Sequence, residues 1–282
     1  MNTKNPIFSE QELINLYQNG ASINFLHKEY NISPNKIKSI LMQNNIHIRN
    51  RHEAICLANK DRNLLKNHQY FQTINRNSAW LLGFLASDGS IEKDRNVIKI
   101  SLSAVDKEIL EKIRKEIGLE SEVKIYEDSS GFSKCKIQWS SEQQKKDLEK
   151  YGIIPQKTFK LKPPYLLDKT FIIDYLRGYW DGDGSVTLNK SAYNSLQWQI
   201  TSATKDILEF FVEYLNEVYE IPKVNIHSFV RGDHLLYLLQ YSTNASLKLY
   251  EIMYKNISNN DLFVARKKEK YDKIVQEKLS LK

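Results

Sequence analysis

A chain of 282 residues is long enough for two or three units of ~100–150 residues, and its 41 Lys+Arg against 34 Asp+Glu leave a net charge of +7. With 41% hydrophobic and 27% charged residues and only 10 Gly and 6 Pro, the composition excludes disordered, collagen-like and low-complexity classes. No apolar run approaches the ~20 residues of a membrane span, the first residues lack a signal-peptide stretch, and Cys56 and Cys135 form neither a disulfide framework nor a metal-site spacing, so an intracellular location and no membrane are expected.

The surplus charge is uneven. Residues 1–77 hold ten Lys+Arg against five Asp+Glu, residues 78–170 seventeen against fifteen, and residues 171–282 fourteen against fourteen. The first quarter therefore suits a polyanion, and a generic basic surface accounts for it equally.

Residues 9–44 predict three short helices. Ser9 opens the first, which carries Leu13, Ile14, Leu16 and Tyr17 and stops at Gly20. Ser22 opens the second, with Ile23, Phe25, Leu26 and Tyr30. Ser33-Pro34 starts the third, which runs through Ile37, Ile40 and Leu41 to about Asn44. Asn35, Lys36, Lys38, Ser39 and Met42 fall on its outer side. This is the pattern of a helix-turn-helix DNA-binding domain over residues 1–50; a small three-helix packing unit is the alternative. Residues 51–77 read as a basic connector with a short helix around residues 53–65. Its cations, with Arg49 just before it, are Arg51, Lys60, Arg62, Lys66 and Arg76. They suit phosphate contact or a solvated linker.

An internal repeat follows. Trp80-Leu-Leu-Gly-Phe-Leu-Ala-Ser-Asp-Gly-Ser90 matches Tyr175-Leu-Arg-Gly-Tyr-Trp-Asp-Gly-Asp-Gly-Ser185, with Gly83, Asp88, Gly89 and Ser90 meeting Gly178, Asp183, Gly184 and Ser185. Downstream, Gln138-Trp-Ser-Ser141 parallels Gln240-Tyr-Ser-Thr243. Repeats at 78–170 and 171–282 follow, each reading helix, strand pair, helix, strand pair, helix. Ile98, Ile100 and Leu102 alternate with Lys99 and Ser101. Cys135, Ile137 and Trp139 alternate with Lys134, Lys136 and Gln138, and Leu196, Trp198 and Ile200 with Gln197, Gln199 and Thr201. Such alternation gives sheets with one apolar and one wet face, and a wet face of Lys, Gln, Ser and Thr suits phosphates and base edges. An ordinary solvent-facing sheet is the plain alternative.

The repeated segments read as helices. Gly83 and Ser87, like Gly178 and Gly182, lie four apart on one face, where small residues let two backbones approach. Asp88 and Asp183 end the helices, with Gly89 and Gly184 as expected stops. Packed together, the helices bring two carboxylates to one end of their interface. Adjacent carboxylates invite a hard divalent cation that keeps waters and phosphate oxygens among its ligands. Asp181-Gly-Asp183-Gly fails as a calcium loop, since Val186 stands where that loop needs glycine, and the six histidines show no metal spacing.

The two segments resemble the signature of the LAGLIDADG homing endonucleases, over roughly residues 78–275. The resemblance implies an α+β fold, two pseudo-symmetric αββαββα repeats forming a β-saddle, here preceded by the all-α helix-turn-helix domain. It implies a site-specific double-strand DNA endonuclease working with Mg²⁺ or Mn²⁺ as a monomer on a long asymmetric target. One catalytic Asp per repeat maps onto Asp88 and Asp183, each serving one strand, and the carbonyls of Ser87 and Gly182 are implied metal ligands. Lys136, Gln138 and Gln240 from the strands, and Lys157 and Lys267 late in each repeat, match the places of residues that organise water near the metals; phosphate contact or solvation is the alternative for each. The DNA-facing set expected is Asn35, Lys36, Lys38, Ser39, Arg49 and Arg51 from the first unit, with Lys99, Ser101, Lys134, Gln138, Gln197, Gln199, Thr201 and Gln240 from the sheets. Ala86 departs from the family pattern where the second copy keeps Asp181, which reads as a capping or supporting acid. No protein-splicing signature flanks the repeats, so a free-standing enzyme is expected, cytoplasmic and nucleoid-associated or organellar. The other functional class is a non-cleaving DNA-binding regulator or intron splicing factor on the same core; retention of both acids favours cleavage.

Overall fold

The computed structural model describes residues 9–60, 65–189, 191 and 194–280. Arg62 and the end of the expected connector helix lie outside them. The chain divides between Leu64 and Leu65 into two compact units, inside the segment expected to be a connector.

The first unit carries α1 (Glu10–Gln18), α2 (Ile23–Tyr30), α3 (Pro34–Gln43) and α4 (Arg51–Lys60). Leu13, Ile14, Tyr17, Leu26, Ile37, Ile40 and Leu41 close its core. Ser22 Oγ accepts from Phe25 N at 3.0 Å and Ser33 Oγ from Lys36 N at 3.3 Å, as the sequence predicts for caps. Ser9 makes no such bond; its backbone carbonyl alone starts α1, accepting from Leu13 N. Gly20 takes φ +108°, the left-handed backbone expected of a stop. A reciprocal cap not foreseen opens α4, Asn50 Oδ1 accepting from Glu53 N while Glu53 Oε2 accepts from Asn50 N.

In the second unit α5 (Arg76–Ser87) leads to β1 (Gly89–Ile91), β2 (Val97–Ser103), α6 (Lys107–Glu116), β3 (Lys124–Glu127), β4 (Ser133–Ser140) and α7 (Glu142–Lys150). The series then recurs as α8 (Ile172–Asp183), β5 (Gly184–Asn189), β6 (Ser195–Ser202), α9 (Lys205–Tyr219), β7 (His227–Arg231), β8 (His234–Tyr241) and α10 (Thr243–Tyr254), with α11 (Ala265–Ser280) added. Two antiparallel sheets result, ordered β1-β2-β4-β3 and β5-β6-β8-β7. The α+β architecture of two repeats is thus as expected from the sequence. Ile98, Ile100, Cys135, Ile137 and Trp139 face the core from the first sheet, and Leu196, Trp198, Ile200, Leu239 and Tyr241 from the second. Helix α11, with Tyr271 and Val275 buried, has no counterpart in the first repeat. The first residues of this unit are integral to it: Leu65, Tyr70 and Phe71 are buried in the common core, and Gln144 donates to the Asn67 carbonyl at 2.7 Å.

Helices α5 and α8 form the axis. An asparagine cap starts α5, Asn75 Oδ1 accepting from Ser78 N and Ser78 Oγ from Asn75 N. A Cβ on Gly83 would stand 1.9 Å from the Tyr175 carbonyl oxygen, and one on Gly178 1.9 Å from that of Trp80. The two backbones therefore touch where the sequence places its small residues. Gly89 and Gly184 differ from expectation. Neither takes a left-handed φ; both begin strands, and their missing Cβ atoms clear Leu85 and the Trp180 ring. They are glycines because the chain folds back over its own helix there.

Candidate active site

The helix pair delivers one aspartate from each repeat to the same end of the interface. Asp88 caps α5, its N–H donating to the Phe84 carbonyl, and Asp183 is the last residue of α8. A Cβ on Gly182 would lie 1.9 Å from Ser87 Oγ and 3.1 Å from Asp88 Oδ2, so the carboxylate of one motif sits against the backbone of the other. Helix C-termini already concentrate negative partial charge. Burial raises the pKa of both acids, and repulsion from Asp88 adds to it at Asp183, which is pushed up to about 6.

Two lysines offset this charge, each from its own repeat. Lys157 sits in a one-turn helix after left-handed Gln156 and donates to the carbonyls of Ser87 at 3.1 Å and Gly89 at 2.6 Å. Lys267, in the first turn of α11, donates to Trp180, Gly182 and Gly184 at 3.2, 2.6 and 2.8 Å. Burial lowers the pKa of both ammonium groups; Asp183 and Asp88 oppose that at Lys157, and Asp181, then Asp88 and Asp183, at Lys267. The carbonyls of Ser87 and Gly182, expected as metal ligands, thus accept from ammonium groups.

Asp181 faces the core, away from this end. It accepts from Trp80 Nε1 at 2.8 Å, Tyr254 Oη at 3.1 Å and Val264 N at 3.1 Å. Burial still pushes its pKa up to about 6. Its bond to Val264 fixes the residue from which α11 starts, and so the place of Lys267. Arg266 holds Asp106 through two bonds of 2.9 Å, bracing the same start against the first repeat.

A cavity of about 70 Å³ beside Asp183, lined among others by Ala86, Ser87, Lys157, Tyr179 and Ser202, has room for an ion and a water or two. Among the described residues no three His, Cys, Asp or Glu side chains gather to hold a metal. Asp183 beside open space, with the Asp88 carboxylate close to the Gly182 backbone, still fits a magnesium-sized ion, which retains waters and takes phosphate oxygens.

The other expected residues divide. Lys136 on β4 lays its ammonium 4.9 Å from the Tyr126 ring; the lysines acting on the carboxyls are Lys157 and Lys267. Gln138 stands exposed opposite Lys99, and Gln240 accepts from Gln199 at 2.6 Å. Ser101 shares a 2.6 Å hydrogen bond with Tyr126, and Lys134 is 4.0 Å from Asp128. Gln197 and Thr201 line the outer face of the second sheet. In the first unit Asn35, Lys36, Lys38, Ser39 and Met42 are exposed on α3, and Arg51 is exposed at the start of α4. Arg49 is turned inward, its guanidinium 3.9 Å from the centre of the Tyr17 ring and donating to the carbonyls of Tyr17 and Ala21. Sequence reasoning missed Lys124 and Tyr126, because β3 is short and mostly exposed and shows no alternation to find it by.

The pattern of the LAGLIDADG-like domain matches twice, over residues 75–152 and 170–252, together more than half of the chain. The chain belongs to the LAGLIDADG-like family. An uncharacterized protein of Methanocaldococcus jannaschii is 25% identical over 194 residues, 64% of this chain and 66% of that protein, just under two thirds of its length. Among solved structures, full-length WhiA from Thermatoga maritima is 20% identical with TM-score 0.44, covering 75% of this chain and 64% of that one. The homing endonuclease I-WcaI bound to its DNA recognition sequence is 13% identical with TM-score 0.49, covering 80% and 96%. In this LAGLIDADG-like chain the two motif helices are α5 and α8.

Proposed function

We propose that this protein is a site-specific, metal-dependent double-strand DNA endonuclease, with Asp88 and Asp183 each serving one strand. The observation that carries the reading is the pairing of two carboxylates, half-buried Asp88 and solvent-exposed Asp183, one from each repeat, with a lysine seated on the backbone of each motif. A decayed, purely binding core has no need of that arrangement, since two carboxylates held side by side repel one another.

A bound divalent ion supplies charge neutralisation at the scissile phosphate and a water acidic enough to attack it. Asp88 and Asp183 would hold that ion from the two sides of the helix interface. Lys157 and Lys267 fix the strand starts at Gly89 and Gly184 and place positive charge where phosphate oxygens gain negative charge. The sheets supply the DNA-facing surface, with α3 of the first unit as a further reader.

Linearisation of a plasmid bearing the native insertion site tests this. Cleavage is expected with Mg²⁺ or Mn²⁺, and none with EDTA or after Asp88→Asn or Asp183→Asn. Tight binding of the wild type to that site without cleavage would instead make the protein a DNA-binding regulator or splicing factor.

A further inference from the structure

The two sheets share a register, so their outer faces can be compared position by position. In the first sheet Lys99 pairs with Gln138, Ser101 with Lys136, and Lys136 in turn with Lys124. In the second, Gln199 pairs with Gln240, Thr201 with Leu238, and Leu238 with His227. One step further, Lys134 pairs with Tyr126, where the second sheet pairs Leu236 with Phe229. Four lysines on one face are therefore answered by Gln199, His227, Leu236 and Leu238 on the other. The row beside the motif strands stays polar in both, Ser185 lying 3.5 Å from Gln199. The divergence grows toward β3 and β7, the edge strands farthest from the aspartate-bearing ends. Phe229 is 38% exposed, and Leu236 and Leu238 are half-buried.

These sets make different contacts with a duplex. Lysines donate to guanine O6 and N7 and to phosphates; leucine and phenylalanine can only meet thymine methyl groups in the major groove. The two faces follow one another in the same pseudo-symmetric frame, and the basic one is complementary to a polyanion. We infer that the two halves of the target are chemically unlike: the first sheet takes a guanine-bearing half-site through salt-sensitive lysine contacts, and the second takes a thymine-bearing half-site through methyl contacts of Leu236, Leu238 and Phe229. This rests on the DNA-binding part of the proposed function.

The experiment uses the full chain with duplexes it selects from a randomised pool in the presence of Ca²⁺. Thymine is replaced by uracil one position at a time, which removes only the methyl. Binding is expected to weaken about three- to fourfold per methyl in one half of the duplex and not in the other. Leu238→Ala should erase part of that sensitivity and leave the salt slope unchanged. Lys136→Gln should leave the uracil response intact and reduce the salt slope by about one. Both side chains lie on an outer face, and unchanged thermal unfolding checks that each variant is folded. Selected duplexes indifferent to uracil in both halves, or a uracil response untouched by Leu238→Ala, would overturn the inference while DNA binding stands. Failure to select any duplex would remove the DNA-binding reading and the inference with it.

Discussion

Asp181 and Asp183 stand two positions apart in one helix, and burial raises both pKa values to about 6. Their surroundings give them opposite work. Asp181 satisfies three buried donors and is part of the frame. Asp183 faces Asp88 and is strained by it. The raised value at Asp183 sets the sign of its effect on stability. The folded protein holds that proton up to about pH 6, whereas the unfolded chain releases it near the ordinary 3.8. Stability therefore falls as pH rises through that window, and the full penalty stands above it. In EDTA, Asp183→Asn should be more stable than the wild type at pH 8, by no more than roughly 1 kcal/mol because Asp183 is exposed and solvent screens its charge, and converge with it below pH 4. Urea unfolding across pH 4–8 measures this, and a variant less stable than the wild type at pH 8 would refute it. Asp181→Ala should act the other way, losing roughly 3 kcal/mol or more because Trp80, Tyr254 and Val264 keep buried donors without an acceptor. The same measurement at pH 7 decides it, and Asp181→Asn should lose less. The repeat alignment already separates them, since Asp183 meets Asp88 and Asp181 meets Ala86; which buried donors Asp181 serves was left to the packing of α8 against α11.

At the scale of elements, the α5–α8 contact sets a strict order on glycine substitutions. At Gly83 and Gly178 an added Cβ meets a backbone carbonyl at 1.9 Å, so the helices must separate. At Gly182 it meets the Ser87 hydroxyl at 1.9 Å, which can rotate away, and the Ser87 Cβ at 2.5 Å, which moves only with its backbone, so the helices must shift there too, by less. Gly83→Ala and Gly178→Ala should therefore destabilise by roughly 3 kcal/mol or more and abolish the proposed cleavage, with Gly182→Ala also destabilising but less so in Tm. Equal losses at all three positions would show that the helices do not meet where the structure places them. The helices were legible because the small-residue spacing of each motif repeats at matched positions. Strands β2, β4 and β6 were legible because Lys99, Lys136 and Gln199 break an otherwise apolar run at every second residue. Strands β3 and β7 were not, since exposed edge strands carry no such constraint.

For the whole molecule, the division at Leu64/Leu65 changes which truncation is informative. Removing residues 1–77 would take away Leu65, Tyr70 and Phe71, which belong to the core of the second unit, along with the Asn75 cap of α5. Removing residues 1–64 should leave that unit folded, with weaker DNA binding and a flatter dependence on salt, because the lysines of α3 go with it. Circular dichroism melts and binding at several salt concentrations separate the two deletions; an unchanged salt slope after removal of 1–64 would take the first unit off the DNA. The sequence by itself determined the number of repeats, the motif helices, the two aspartates and the basic character of the first quarter. Each of these depends on local periodicity or on a residue type recurring at matched positions, and such constraints are written along the chain. Only the tertiary structure decided that Arg49 turns inward on Tyr17, that Gly89 and Gly184 clear a neighbour instead of reversing the backbone, and that Lys157 and Lys267 hold the motif carbonyls while Lys136 does not. For the lysines the outcome turns on which long side chain reaches which carbonyl across 68–87 residues of chain, and for Arg49 across 28–32, distances over which sequence pattern carries no geometry; for the two glycines it turns on the angle at which the chain leaves its helix.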